Sequence, residues 1–238
     1  MSESSEFVRV PETRLPCGEV VPAFEVSKFL CCLDTDWRVP HAASWAHTVP
    51  AVLISYRMAL EACRNSGWDL VTERQWLAIA QDVAGVDANW TLWKFGEGKL
   101  RQGLRHGYTH GPVSGKFHPD TDDEFRLKRL SNGQRIYDFG GNAWSWVFDD
   151  LQGGPDGVAA IVDEDSPSLT TARFPSTSKG MGRFPKHRQD WDGRGLIRGG
   201  GWRSGKDAGA FALYAAQLYG EYLSIGFRAT RPITGDEA

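Results

Sequence analysis

Histidines are the residues of this chain whose type and spacing first suggest a metal centre. His106 and His110 are four positions apart, a spacing that would put both rings on one face of a helix, and His118 follows further on. Glycines at 107 and 111 argue against a helix here, because glycine is a poor helix former. We therefore interpret these histidines as loop residues in solvent and predict no metal site from them.

The four cysteines do not indicate a metal site either. Cys17, Cys31, Cys32 and Cys63 all lie in the first third of the chain, and none forms a CxxC pair. This spacing indicates neither a metal knuckle nor a disulfide framework.

Two other short patterns also lack the context that their chemistry needs. The acidic run from Asp120 to Glu124 has no glycine and no spacing of a calcium-binding loop, so we interpret it as a solvated turn. Gly96-Glu97-Gly98 does not follow a strand in a βαβ unit, which argues against a nucleotide site.

Composition excludes several classes of protein. The chain has 238 residues, of which 41% are hydrophobic, so a sizeable core is expected. The net charge of −3 does not favour nucleic acid or an anionic membrane, and no apolar run approaches the ~20 residues of a membrane helix. The first six residues are polar and acidic, unlike a signal peptide, which favours a phage particle or the cytoplasm as the location.

Two helices are predicted early in the chain. Apolar residues recur every three to four positions between Val52 and Asn65, and Gly67 provides a stop. Thr72 and Gln75 have the spacing of a capping box, so a second helix should begin there.

The rest of the chain predicts short strands and long loops. Residues 83–133 and 151–192 are rich in turn formers, and no helix is expected in the second of these. Aromatic alternation predicts two strands, Ile136–Phe139 and Ala143–Phe148, that meet at the turn 140–142. Strands at 196–202 and 224–230 could pair and hold 203–223 out as a loop. These elements predict a single α+β domain over 1–238.

Three segments resemble the formylglycine-generating-enzyme-like sulfatase-modifying family, a branch of the C-type lectin-like fold. They are residues 49–76 with their LVTERQW end, YDFGGNAWSW at 137–146, and the pair IRGGGW at 197–202 and IGFR at 225–228. The resemblance implies that fold. Glycines 199–201 allow tight turns, Arg198 and Arg228 can donate to buried carbonyls, and Trp144, Trp146 and Trp202 can fill the core.

The same resemblance offers an enzyme as the alternative function. Oxidases of the formylglycine-generating type bind copper with a pair of cysteines near the C-terminal motif, but no cysteine follows Cys63 here. Relatives also hold calcium at the turn that corresponds to Asn142, with a Glu where this chain has Ser145. The loss of that carboxylate argues against calcium. We predict no catalytic residue, no metal and no cofactor.

One subgroup of the fold is more similar to the chain, the variable proteins of diversity-generating retroelements. Its form "R-G-G-x-W-x-x-G-x-x-A-G-x-F-A-L … I-G-F-R" is matched by residues 198–213 and 225–228. The A-G-x-F-A-L block is absent from the oxidases. In this subgroup an error-prone copying step replaces residues at adenine-rich codons and leaves the frame between them unchanged.

The resemblance implies a variable ligand-binding segment at about 198–228. The positions expected to vary are Arg203, Ser204, Lys206, Asp207, Tyr214, Ala216, Gln217, Tyr219, Gly220, Glu221, Tyr222 and Ser224. Tyrosine suits a binding surface because it gives a large contact area with few torsions to freeze, although it serves equally well to pack a loop onto a core. The expected partner is a protein or glycan, bound without subsequent chemistry.

Overall fold

The structure is a computed structural model that describes residues 4–34, 39–119 and 121–233. Asp120 of the acidic run and the first three residues lie outside these ranges. The helices are α1 (Tyr56–Asn65), α2 (Glu73–Gly85) and α3 (Pro167–Thr170). The strands are β1 (Phe7–Val10), β2 (Thr13–Arg14), β3 (Val20–Val21), β4 (Phe24–Ser27), β5 (Cys32–Asp34), β6 (His41–Ala43), β7 (Asp69–Leu70), β8 (Leu127–Arg129), β9 (Arg135–Tyr137), β10 (Trp144–Val147), β11 (Ala159–Val162), β12 (Gln189–Arg198), β13 (Leu213–Gln217), β14 (Ile225–Phe227) and β15 (Ala229–Arg231).

Two larger sheets organise these strands. One has the order β1-β4-β15-β7, with all pairs antiparallel. The other has the order β11-β12-β10-β14, with β13 paired to β12, and its β10–β14 pair is parallel. Few helices, mainly antiparallel pairs and long connections confirm the predicted α+β class.

The second sheet separates two apolar clusters. Leu196 belongs to the cluster that includes Trp76 of α2, whereas its neighbour Ile197 belongs to the cluster that includes Tyr56 of α1. Adjacent residues of a strand point to opposite faces, so β12 is covered on both sides. The C-terminal motif therefore begins on the end of β12 that is buried on both faces.

Both predicted helices are present, and each begins directly after a residue that caps its N-terminus. The Thr72–Gln75 capping box is present, with both reciprocal bonds made. The first helix begins at Tyr56 rather than Val52, because Ser55 caps it and Leu53 has a left-handed backbone with φ of 57°. Gly67 has a φ of 73° and follows the helix end as predicted.

Three predictions about strands and loops are wrong. The strands on either side of the turn 140–142 do not pair with each other, because β9 pairs with β8 while β10 pairs with β12 and β14. The strands at the two ends of the C-terminal segment do not pair either, since β10 lies between them. The loop predicted for 151–192 contains α3, whose first turn is started by Ser166 and proline at 167, together with β11 and the start of β12.

Candidate functional site

The frame of the C-terminal segment is buried throughout. Arg198, Trp202 and the block from Ala208 to Leu213 are all buried, as are residues 225–228. The indole N–H of Trp76 on α2 donates to the carbonyl of Ala210 at 2.8 Å, which fixes this block against the helix. These contacts hold the backbone of the segment at fixed points on the core.

Arg198 is held by a buried ion pair. Its Nε lies 3.0 Å from Oε2 of Glu73, and its remaining donors bind the carbonyls of Phe211 at 3.0 Å and Ser168 at 3.1 Å. Both charged side chains are excluded from solvent. The guanidinium therefore ties the start of the frame, α2 and α3 together, beyond the carbonyl contacts that the sequence suggested.

Arg228 closes the other end of the frame. It donates to the carbonyl of Ser27 at 3.0 Å and to that of Tyr137, while burial lowers its pKa to about 10. The carbonyl contacts predicted for this arginine are present. They link the last motif to β4 and β9.

The twelve positions expected to vary differ from the frame in their exposure. Eleven are exposed or half-buried, and Ala216 alone is buried, because it points into the cluster beneath α1. The largest exposed side chains among them are Tyr219 and Tyr214, at 82% and 54% exposure. Ala216 therefore offers little surface to a ligand in the present sequence.

Four of the twelve lie on a short helical turn near residues 203–207. The Arg203 guanidinium lies 4.4 Å from the centre of the Trp202 ring, and Asp207 lies 3.7 Å from Arg183. Ser204 uses its hydroxyl to accept the Gly201 amide at 2.9 Å. Lys206 is exposed. The side chains of Arg203 and Lys206 are thus the ones on this turn that are most available to a ligand.

The other eight lie on β13 and the loop that follows it. Tyr214 packs edge-on near Trp191, with ring centres 6.1 Å apart. Gln217 and Glu221 are exposed, whereas Gly220 and Ser224 are half-buried. An added Cβ at Gly201 would lie 3.3 Å from Cβ of Ser224, so the two groups of positions meet at Gly201.

The three tyrosines have different roles. Tyr222 is half-buried, and its hydroxyl accepts the amide of Gln217 at 3.3 Å, which closes the loop. Tyr214 and Tyr219 make no hydrogen bond through their hydroxyls among the described residues. Tyr222 thus fits the alternative interpretation of loop packing, and the other two fit a binding surface.

This difference predicts a difference in stability. Replacing Tyr219 with serine should change the free energy of unfolding by no more than about 0.5 kcal/mol, because little surface is buried. Replacing Tyr222 with serine should cost more than about 1 kcal/mol, since ring packing and the bond to Gln217 are lost. Urea denaturation of both variants measures this; equal losses would contradict the assignment.

The loop 104–108 supports the first group of positions, a role that the sequence analysis did not predict. Glu124, interpreted above as part of a solvated turn, is buried and accepts the amide of His106 at 2.8 Å and the hydroxyl of Tyr108. That interpretation is wrong for Glu124, because its hydrogen-bond partners lie 16 to 19 positions away in the chain. The carbonyl of Arg105 in this loop accepts a hydrogen bond from the amide of Gly205 at 2.9 Å.

His106 and His110 lie on this irregular loop and not on a helix. His106 is 3.0 Å from a carboxylate oxygen of Asp123, and this hydrogen bond, with the charge of Arg105, lowers the pKa of Asp123. His110 and His118 are exposed. Among the described residues, no three His, Cys, Asp or Glu side chains come together as a metal-binding group.

In relatives of the fold, calcium binds at the turn that corresponds to Asn142. Here the side chains of that turn are hydrogen-bonded to other residues of the protein. The Oδ1 atom of Asn142 accepts the amide of Val113 at 2.9 Å, and its Nδ2 donates to Asp138 at 3.0 Å. Asp138 is already paired with Arg126, at 2.6 Å. Ser145 is buried and donates to the carbonyl of Trp146. The side-chain oxygens of Asn142 and Asp138 already accept hydrogen bonds from protein donors, so the residues present do not fit calcium.

None of the helices in the described ranges is long and apolar enough to cross a membrane.

No protein-family model matches the chain, and no curated protein matches its sequence. Among solved structures, the chain is similar to PvdO from Pseudomonas aeruginosa, with a TM-score of 0.47 and 16% identity over 97% of this chain and 92% of that one. It is similar to the Major Tropism Determinant M1 variant, with a TM-score of 0.44 and 15% identity over 88% of this chain and 50% of that one. It is also similar to Treponema denticola variable protein 1, with a TM-score of 0.42 and 13% identity over 89% of this chain and 96% of that one.

The chain thus spans half the length of the tropism determinant that it matches. The structures similar to it include variable proteins and C-type lectin-like folds of the formylglycine-generating type, the two groups whose motifs the sequence resembles.

Proposed function

We propose that this chain is a non-catalytic ligand-binding protein that displays a diversified loop surface on a C-type lectin-like scaffold. The observation that carries the proposal is the division of residues 198–228 by burial. Every position of the frame at 198–202, 208–213 and 225–228 is buried, and eleven of the twelve positions expected to vary reach the surface. A segment built in this way can change its surface chemistry without changing its core.

The exposed chemistry suits recognition of a protein or glycan. Tyr214 and Tyr219 offer large rings with two torsions each, and Arg203, Lys206 and Glu221 add charges at the edge. Tyrosine and arginine are the residues that most often carry binding energy in interfaces.

The alternative function is an oxidase of the formylglycine-generating type. Its copper site needs two thiolates near the C-terminal motif, and the sequence has no cysteine after Cys63. Cys31, Cys32 and Cys63 are buried, and burial raises the pKa of each thiol, to about 11 for Cys31 and about 12 for Cys32. Thiols held protonated in this way are poor metal ligands and nucleophiles.

The genomic DNA around the coding sequence tests the proposal. We expect a near-copy of the codons for about 200–228, differing mainly at adenines, beside a reverse-transcriptase gene. Absence of both would remove the basis for diversification. In a second assay, incubation with copper and a cysteine-containing peptide should consume no oxygen; stoichiometric copper with turnover would establish the oxidase instead.

A further inference from the structure

The guanidinium of Arg101 lies over two aromatic rings. Its central carbon is 4.9 Å from the centre of the Trp93 ring and 4.8 Å from the centre of the Phe125 ring. The side chain makes no hydrogen bond and no ion pair with any described residue. Its Nε atom is buried, whereas its two terminal nitrogens reach the surface. The terminal N–H groups are therefore available to a ligand.

The arginines that follow in this region differ from Arg101. Arg105 forms an ion pair with Asp123, and Arg126 forms one with Asp138 at 2.6 Å. Their charges are offset within the protein. A guanidinium that lies over aromatic rings keeps its in-plane donors, and these donors match the two oxygens of a carboxylate. Arg101 thus has the form of an anion-binding group.

The charge of Arg101 also acts on a buried lysine. The Nζ atom of Lys128 lies 5.6 Å from the centre of the Phe125 ring, which Arg101 contacts as well. Burial lowers the pKa of Lys128 to about 7, and the charge of Arg101 contributes to this shift. The two cations therefore create a positive potential around Phe125, and this potential favours a bound anion.

Trp93 is both strained and exposed. Its φ of 58° lies in the left-handed region, which a bulky residue adopts only at a cost. Burial in the core does not offset that cost, because 64% of the residue is exposed. Backbone strain of this kind is concentrated at functional sites. The strained turn holds the indole ring at the surface, beside Arg101.

The backbone around these side chains is fixed. The amide of Arg101 donates to the carbonyl of Asn89 at 2.8 Å, and the amide of Phe125 donates to the carbonyl of Gln102 at 2.7 Å. The side chain of Gln102 donates to the carbonyl of Lys206 at 3.3 Å, so this group lies beside the turn 203–207. A ligand loses less conformational entropy when it binds to groups that are already ordered.

We propose that Arg101, Trp93 and Phe125 form a binding site for a carboxylate group. The one guanidinium of the site matches the single charge of a carboxylate better than the nearly double charge of a phosphate. Its terminal nitrogens donate to both carboxylate oxygens, while the exposed ring of Trp93 contacts the rest of the ligand. None of the three residues is among the positions expected to vary, so the site does not depend on the proposed function.

Titration followed by nitrogen–proton correlation NMR tests this inference. An acidic sugar and an acidic peptide both supply a carboxylate, so the probes are sodium glucuronate and N-acetylglutamate amide. Inorganic phosphate and sodium chloride are the comparison anions. We expect the indole N–H signal of Trp93 to shift saturably with at least one acid, at a Kd on the order of 10 mM. The acid that binds more tightly identifies the source of the carboxylate.

Three variants assign the binding to the guanidinium. Arg101→Met removes the donors and should raise the Kd at least about tenfold. Arg101→Lys keeps the charge but loses the planar fork, so a rise of at least about threefold is expected. Lys99→Met is the matched control, because it removes an exposed cation from the same loop. Its Kd should equal that of the unchanged protein.

The other outcomes would overturn the inference. They are the absence of a saturable shift with both acids, a Kd that neither substitution of Arg101 changes, and an equal effect of phosphate or chloride. Equal weakening by Lys99→Met would assign the effect to the general charge of the loop. Melting temperatures are measured for every variant, and if Arg101→Met does not fold, Arg101→Lys decides. These results leave the proposed function to its own test in the genomic DNA.

Discussion

Replacing Arg198 with methionine is expected to lower the free energy of unfolding by about 3–5 kcal/mol, because Glu73 would remain buried without a partner. The substitution also removes the donors that bind the carbonyls of Phe211 and Ser168. Both charged side chains are almost completely buried, so bulk solvent does not replace these bonds. The whole C-terminal frame should loosen from α2.

Urea denaturation of four variants, namely Arg198→Met, Arg203→Met, Glu73→Gln and the double variant, measures the effect. Arg203→Met removes an exposed arginine from the same segment and should change the free energy of unfolding by no more than about 0.5 kcal/mol. The double variant Glu73→Gln with Arg198→Met should lose less than the sum of the single losses, because no unpaired charge remains. A loss below 1 kcal/mol for Arg198→Met alone would show that the ion pair does not hold the frame.

Gly200→Ala is expected to destabilise the protein by about 3 kcal/mol, the second-largest effect. A Cβ at this position would lie 2.5 Å from Cα of Ala208, and the φ of Gly200 is 92°. Backbone cannot move aside as a flexible side chain can, so both steric overlap and conformational strain contribute.

Two further glycines separate these contributions in the same denaturation experiment. Gly205 has a φ of 55° but no atom within 4 Å of an added Cβ, so Gly205→Ala should show the backbone cost alone, about 1 kcal/mol. Gly154 has neither constraint, so Gly154→Ala should be close to neutral. Equal effects at all three positions would contradict the close contact between Gly200 and Ala208.

Local signals in the sequence were sufficient for α1, α2 and the class of fold, but not for α3. The capping box at Thr72 and the stop at Gly67 act within one helical turn, so their consequences can be derived from neighbouring residues alone. The predicted start of the first helix at Val52 was wrong because it depends on a distant residue. The left-handed backbone of Leu53 is stabilised by a hydrogen bond to Tyr222, which is 169 positions away, and no local pattern indicates that bond.

Strand partners could not be derived in the same way. The hairpin predicted around residues 140–142 fails because Trp144 pairs with Ile225 and Ser145 with Arg198, and these contacts are set by tertiary packing. For the candidate site, the motif located the buried frame, whereas the twelve positions expected to vary remain a prediction. The motif missed Glu124, since the burial of a carboxylate depends on residues that are distant in the chain.

The loops that carry the positions expected to vary are joined to the rest of the protein partly through main-chain atoms. The amide of Gly107 donates to the carbonyl of Trp202 at 2.7 Å, and the amide of Tyr56 to that of Leu218 at 3.1 Å. Such bonds form whichever side chains the loops carry. Under the proposed function, each new sequence keeps these main-chain anchors, so that diversification changes the surface chemistry of the loops while their anchoring points stay in place.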